Sequence, residues 1–250
     1  MTVALVFAVL MNGTAYFFSD KIALASSGAV PISREEAPRL YAVIERLAAK
    51  ANLPMPKLYL IPQPAPNAFA TGRNPSHASV AVTQGLLELM NDDELEGVIA
   101  HELSHVRNYD ILTSSIAATI AGAITWIARM GFWFGGGGED RERGGGLTAL
   151  LMLILAPIAA VLLQLGISRQ REYQADASGV QMIGYPDGLI SALEKLGAYN
   201  KRIPMDVPPT TSALMIVQPL AAGEIFSSLF STHPPLSERI AALRNMTVTR

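Results

Sequence analysis

The sequence predicts an α+β fold, mainly helical with a small sheet, interrupted by a transmembrane helical hairpin. Three observations predict it. Two apolar runs, 111–134 and 147–167, reach the ~20 residues that a spanning helix needs. The polar stretches on either side of them mix helix-period and strand-like segments. A composition of 50% hydrophobic and 16% charged residues over 250 positions, with a mean hydropathy of +0.30, leans towards membrane association.

The elements follow in chain order. Residues 2–18, TVALVFAVLMNGTAYFF, form a short apolar segment read as an N-terminal membrane segment. Ala23-Leu24-Ala25 resembles a signal cleavage site, but no basic residue precedes the run as a signal requires. Lys21, Arg34 and Arg39 follow it, which places the N-terminus outside and the polar domain in the cytoplasm. Ser33 with Glu36 reads as a capping box opening a helix, along which Leu40, Val43, Ile44, Leu47 and Ala51 repeat at helical spacing. KLYLI (57–61), NAFATG (67–72) and ASVAV (78–82) read as strands, the last two parted by a TGRNPS turn. Asn91 with Glu94 caps the next helix, which carries GVIAHELSHVRNYD (97–110).

The hairpin comes next. Its tip, GGGGEDRERGGG, is charged and bracketed by glycines, so no core would accept it. Arg129 can snorkel towards that tip, and Trp126, Phe132, Trp133 and Phe134 crowd the same end as an aromatic belt would. Pro157 is tolerable where neighbouring helices satisfy the backbone. Two further helices are expected near 187–198 and 235–245. The expected division is therefore a membrane segment at 1–18, one domain from 19–110 and 168–250, and the hairpin at 111–167.

Charge and composition exclude some functions. A net charge of -2 with no basic stripe excludes a nucleic-acid partner. With no cysteine, any metal must be held by His, Asp or Glu.

On a helix, His101 and His105 are four apart and share one face, so both imidazoles can meet one ion. Glu102, one position round, stands beside the open coordination position, where a general base takes a proton from water. The bland alternative is one polar turn of an ordinary helix. A third ligand must come from elsewhere, and SRQREYQADASG (168–179) supplies Glu172, with Asp176 four residues on. Those two could instead form a solvated face with Arg169 and Arg171. The hairpin leaves just after His105 and returns just before Glu172, so the two helices should continue into an antiparallel pair and meet. Glu172 would then complete the ligand set, and Asp176 would accept the outer N–H of a ligand histidine. His233, held on a turn by Pro234 and Pro235, is either a solvent-facing helix-entry residue or a donor to the oxyanion of a tetrahedral intermediate. His77 reads as surface.

NAFATGRNPSHASVAVTQGLL, DELEGVIAHELSHVRNYD, SRQREYQADASG and STHPPLSERI, in that order, resemble the HtpX-type membrane zinc metalloproteases, gluzincins related to the CAAX prenyl proteases. The resemblance runs from about residue 8 to the C-terminus. It implies a zincin-like metalloprotease domain with one Zn2+ per subunit, held by His101, His105 and Glu172 with Glu102 as catalytic base. It implies that Asp176 supports His101, that His233 stabilises the transition state, and that Asn67, Ala68 and Phe69 lie on the strand lining the substrate cleft, which can receive a peptide by strand addition. The family begins with two N-terminal membrane segments, and this chain has room for a single short one. The implied activity is zinc-dependent endopeptidase cleavage of misfolded or membrane proteins at the cytoplasmic face of the cell inner membrane. That is a quality-control and heat-shock role, with protein or peptide substrates and the lipid bilayer as partners. The rival expectation is a non-catalytic membrane protein with a structural zinc site. Oligomeric state is not legible.

Overall fold

The structure is a computed structural model that describes residues 16–120, 169–200, 234–246 and several positions between 202 and 217. The rest of the first apolar run, the expected hairpin from 121 onward and His233 lie outside the described residues. Among the described residues, no helix is long and apolar enough to cross a membrane.

Helix α1 covers 16–26. The short strand β1, Val30–Pro31, leads to α2, Pro38–Lys50. The expected start of α2 at Ser33 is corrected. The reciprocal bonds between Ser33 and Glu36 do form, but they close a turn, and the helix begins at Pro38. The cause is the proline, because the residue before proline is driven out of the helical region. Ala37 accordingly has φ -136 and ψ 59, while Pro38 opens the helix where its missing N–H costs nothing. Leu40, Val43, Ile44 and Leu47 are buried as their spacing requires, and Ala51 caps the C-terminus.

The three expected strands are β2 (Lys57–Ile61), β3 (Ala68–Gly72) and β4 (Ala78–Thr83). With β1 they form a mixed sheet in the order β1-β2-β4-β3, so β3 is an edge. β2 runs parallel to β4, and β3 antiparallel to it with Ala68 opposite Val82. Alternation along the strands sorts their side chains between two clusters. Leu58, Ala68, Ala70, Val80 and Val82 face the main helical core. Ile61, Phe69 and Ala81 face a smaller cluster with Ala23 and Leu24 of α1 and with Met205 and Met215.

Short helix α3 (Gln84–Leu89) precedes α4, Asp92–Arg107. The capping box is present in α4: the Asn91 side chain accepts from Glu94 N–H, and Glu94 accepts from Asn91 N–H, both at 2.9 Å. Asp92, Asp93 and Glu94 in the first turn suit the positive end of the helix dipole. Leu95, Val98, Ile99, Leu103 and Val106 make α4 the central buried helix, packed by α2, β3, α6 (Arg169–Ile183) and α7 (Asp187–Asn200). Glycine makes two of these approaches close. A Cβ at Gly97 would sit 2.6 Å from Leu189 N of α7, and one at Gly179 of α6 would sit 3.1 Å from His101 N.

The expectation that α4 runs on into the apolar helix is also corrected. α4 stops at Arg107, and Tyr109 takes φ 61 before a new helix, α5, starts at 110 and continues to 120. Ser115 of α5 is buried and hydrogen-bonds Thr71 of β3 at 2.7 Å, which ties the start of the apolar run to the sheet. The last helix, α8, spans Leu236–Arg244.

Candidate active site

His101, Glu102 and His105 lie on α4, and Glu172 and Asp176 on α6. The close approach at Gly179 brings the two helices side by side at this point. The histidine rings sit 4.7 Å apart and nearly perpendicular, with their Nε2 atoms 3.2 Å apart. Glu172 Oε2 lies 3.7 Å from His101 Nε2, and Oε1 lies 3.5 Å from His105 Nε2. Two ligands about 2.0–2.1 Å from a tetrahedral ion stand about 3.3 Å apart. Adjacent ligands of a magnesium-like octahedron stand about 2.9 Å apart. The 3.2 Å between the two nitrogens fits the tetrahedral spacing better, and each nitrogen has a different Glu172 oxygen near it, at 3.5 and 3.7 Å. The donors are two nitrogens and a carboxylate, a set that suits zinc among divalent ions. The residues present thus fit the metal implied by the sequence.

Each histidine turns its other nitrogen to a carboxylate. His101 Nδ1–H donates to Asp176 Oδ1 at 2.8 Å, and His105 Nδ1–H donates to Asp110 Oδ2 at 3.1 Å. Both Nε2 atoms are thereby left facing the shared centre. Burial alone would depress the His105 imidazole, but the hydrogen bond to Asp110 and the carboxylates of Glu172 and Glu102 raise it to about 9.

Glu102 is 2% exposed. Burial pushes its carboxyl up from the usual range, against the opposing pull of His101 and His105. It accepts from the backbone N–H of Ala70 on β3, which steadies it beside the histidines. A buried carboxylate poised there can take a proton from water and release it again.

Arg239 of α8 is a site residue that the sequence reading missed. It is fully buried and clamps Asp176, Nε donating to Oδ2 at 2.8 Å and Nη2 to Oδ1 at 2.7 Å. Its Nη1 donates to Ile216 C=O at 3.0 Å and lies 3.5 Å from Glu172 Oε2. Burial would raise the Asp176 carboxyl, but Arg239 and then His101 hold it at about 2. A signal was available: Leu236, Arg239, Ile240 and Leu243 form one helical stripe, so the arginine stands at an apolar position and needs a buried partner. Asp110 was missed as well, although it ends the motif stretch.

The expected substrate strand has a more enclosed setting than a bare edge. Asn67, Ala68 and Phe69 are all buried, with Phe69 turned into the smaller cluster. Thr83 N–H donates to Asn67 C=O, so residues 67, 69 and 71 pair with β4 while Ala68 and Ala70 present their backbone groups outward. Ala68 C=O accepts from Ile216 N–H at 2.9 Å, and the Asn67 side chain donates to Val217 C=O at 2.7 Å. His77 is exposed and pairs with Asn74, as a surface residue would.

Residues 34–247 match the model of peptidase family M48. A "Protease HtpX homolog" of Desulfatibacillum aliphaticivorans is 57% identical over 97% of this chain and 80% of the relative. A protein of the same description from Desulforapulum autotrophicum is 54% identical over 98% of this chain and 81% of its own length. Among solved structures, S. mikatae Ste24p aligns with a TM-score of 0.56 at 23% identity. That alignment covers 97% of this chain but 57% of Ste24p, and it shows a shared fold.

Proposed function

The chain belongs to peptidase family M48, and we propose that this metallopeptidase is a zinc-dependent endopeptidase of the cell inner membrane, acting on misfolded or membrane proteins from the cytoplasmic face. The observation that carries the chemistry is the convergence of His101 Nε2, His105 Nε2 and a Glu172 oxygen within 4.8 Å, beside the buried Glu102. His101, His105 and Glu172 would hold one Zn2+ per subunit. When bound, the ion supplies Lewis acidity to the scissile carbonyl and to water.

The remaining work belongs to the chain. Glu102 takes the proton of the attacking water and passes it to the departing amine. Ala70 N–H keeps that carboxylate in place, and Asp176, clamped by Arg239, keeps His101 aimed. His233 is assigned to the oxyanion on the strength of the family resemblance. A peptide strand would lie along the outward edge of β3 over Asn67, Ala68 and Phe69 and pair through the Ala68 backbone, which requires Ile216 N–H to leave Ala68 C=O.

The rival, a structural zinc site, calls for a fourth protein ligand. Among the described residues the converging group is His101, His105 and Glu172, and Asp176 is engaged by Arg239 and His101. The membrane assignment is supported by the length and composition of 111–134 and 147–167. Two assays test the proposal. Full-length protein in detergent should cleave an unfolded polypeptide, stop on adding a chelator and resume on restoring zinc. Alkaline carbonate should leave the protein in the membrane pellet. Chelator-resistant cleavage would sink the mechanism, and release into the supernatant would sink the location.

A further inference from the structure

We propose that Asp110 is the positioning residue of the second histidine, and that the break between α4 and α5 serves to place it. The proposal rests on the reading of His105 as a metal ligand. Five residues along an uninterrupted helix turn by about 500°, leaving Asp110 roughly 140° around the axis from His105 and out of reach. The chain does not continue straight. Asn108 closes α4, with its N–H turned to Ser104 C=O and Val106 C=O, and Tyr109 enters the left-handed region at φ 61. That conformation is costly for a residue that is neither glycine nor asparagine. Packing of the ring does not account for it, because Tyr109 is 56% exposed. What the turn accomplishes is visible one residue later. It brings Asp110 Oδ2 back to 3.1 Å from His105 Nδ1, with both side chains largely buried.

The result parallels the first histidine. Asp176 accepts from His101 Nδ1 on one side of the site, and Asp110 accepts from His105 Nδ1 on the other. The acceptor in each case fixes the tautomer that leaves Nε2 for the ion. The second oxygens also correspond, since Asp176 Oδ2 accepts from Arg239 Nε and Asp110 Oδ1 faces Arg171 Nε at 3.6 Å. Arg171 immediately precedes Glu172, so one carboxylate links the second ligand to the helix that carries the third.

The test measures zinc binding by the full chain in detergent, using competition with a fluorescent chelator and the absorbance of the Co2+ form. Asp110→Ala should weaken zinc about 10–100-fold and perturb the Co2+ spectrum. Asp110→Asn keeps an oxygen acceptor and should stay within a few-fold of the parent with an unchanged spectrum. Should the alanine variant fail to fold, the asparagine variant carries the test, and a loss there as large as 100-fold overturns the proposal. Arg171→Ala separates positioning from bracing. It spares the His105 contact and should bind zinc nearly normally, whereas a loss equal to that of Asp110→Ala would make Asp110 a brace between helices. Parent-like zinc binding by Asp110→Ala also overturns the proposal. A parent chain that binds no zinc defeats the ligand reading itself.

Discussion

Arg239 and Asp176 form a bidentate pair with bonds of 2.7 and 2.8 Å, wholly inside the protein, and the same carboxylate receives the Nδ1 proton of His101. The last helix is thereby coupled to the first residue of the motif on α4 through one aspartate. A guanidinium with no exposed surface must be paired, and this one is paired to the group that aims a candidate metal ligand.

Removing the arginine leaves a buried carboxylate without its counter-charge. Arg239→Ala should lower stability by about 3–5 kcal/mol. Arg239→Lys should recover only part of it, because an ammonium cannot reproduce the planar two-point contact. Thermal unfolding of the purified chain, followed together with zinc content, checks both variants.

The same pair sets an acid limit. The Asp176 carboxyl is depressed to about 2 in the fold from an ordinary 3.8. A depressed carboxyl contributes stability that is complete above its unfolded value and disappears as pH falls through the folded one. The contribution should therefore be intact above about pH 4 and be lost towards pH 2, seen as a falling unfolding midpoint. Asp176→Asn should flatten the profile in that window.

His105 makes the opposite prediction for the metal-free chain. Its imidazole is raised to about 9, so at neutral pH it carries a proton that zinc must displace. Zinc affinity should rise as pH increases from 6 towards 9, at a slope approaching tenfold per unit. Calorimetry in buffers of different ionisation enthalpy should detect the released proton. In the metal-free protein, the stabilising contribution of this group should be full below about pH 6.5 and fade through about pH 9.

Packing around α4 yields a test independent of chemistry. A methyl at Gly97 would meet the backbone of Leu189 at 2.6 and 2.8 Å, and backbone cannot rotate away. Gly97→Ala should destabilise by about 1–3 kcal/mol through overpacking, despite the better helix propensity of alanine. Denaturant unfolding measures it, and an unchanged midpoint would contradict the close packing of α4 on α7.

Much of this arrangement was legible in the sequence because periodicity and capping are local. KLYLI and ASVAV read as strands, and Asn91 with Glu94 marked the start of α4. The start of α2 was misplaced because a capping pair at Ser33 and Glu36 gave a strong local signal, while Pro38 constrained the preceding residue more strongly. The convergence of His101, His105 and Glu172 was readable from two spaced motifs flanking a pair of apolar runs. The partners of those residues were harder to read. Arg239 meets Asp176 across 63 positions, and no spacing rule reports such a contact. Asp110 lies only five residues from His105, yet helical geometry argues against their meeting unless the turn at Tyr109 is known. The contact of Ile216 with Ala68 was equally hidden, since no spacing rule reports a pairing so distant in the chain.

The central claim is that Glu102 does the proton chemistry beside an ion held by the other three side chains. Glu102→Gln, purified full-length in detergent and loaded with zinc, tests it most directly when zinc content and cleavage of an unfolded polypeptide are measured on one sample. The variant should hold one zinc per chain, as the parent does, with cleavage reduced by at least about 100-fold. Parent-level cleavage by this variant, with zinc in place, would contradict the claim.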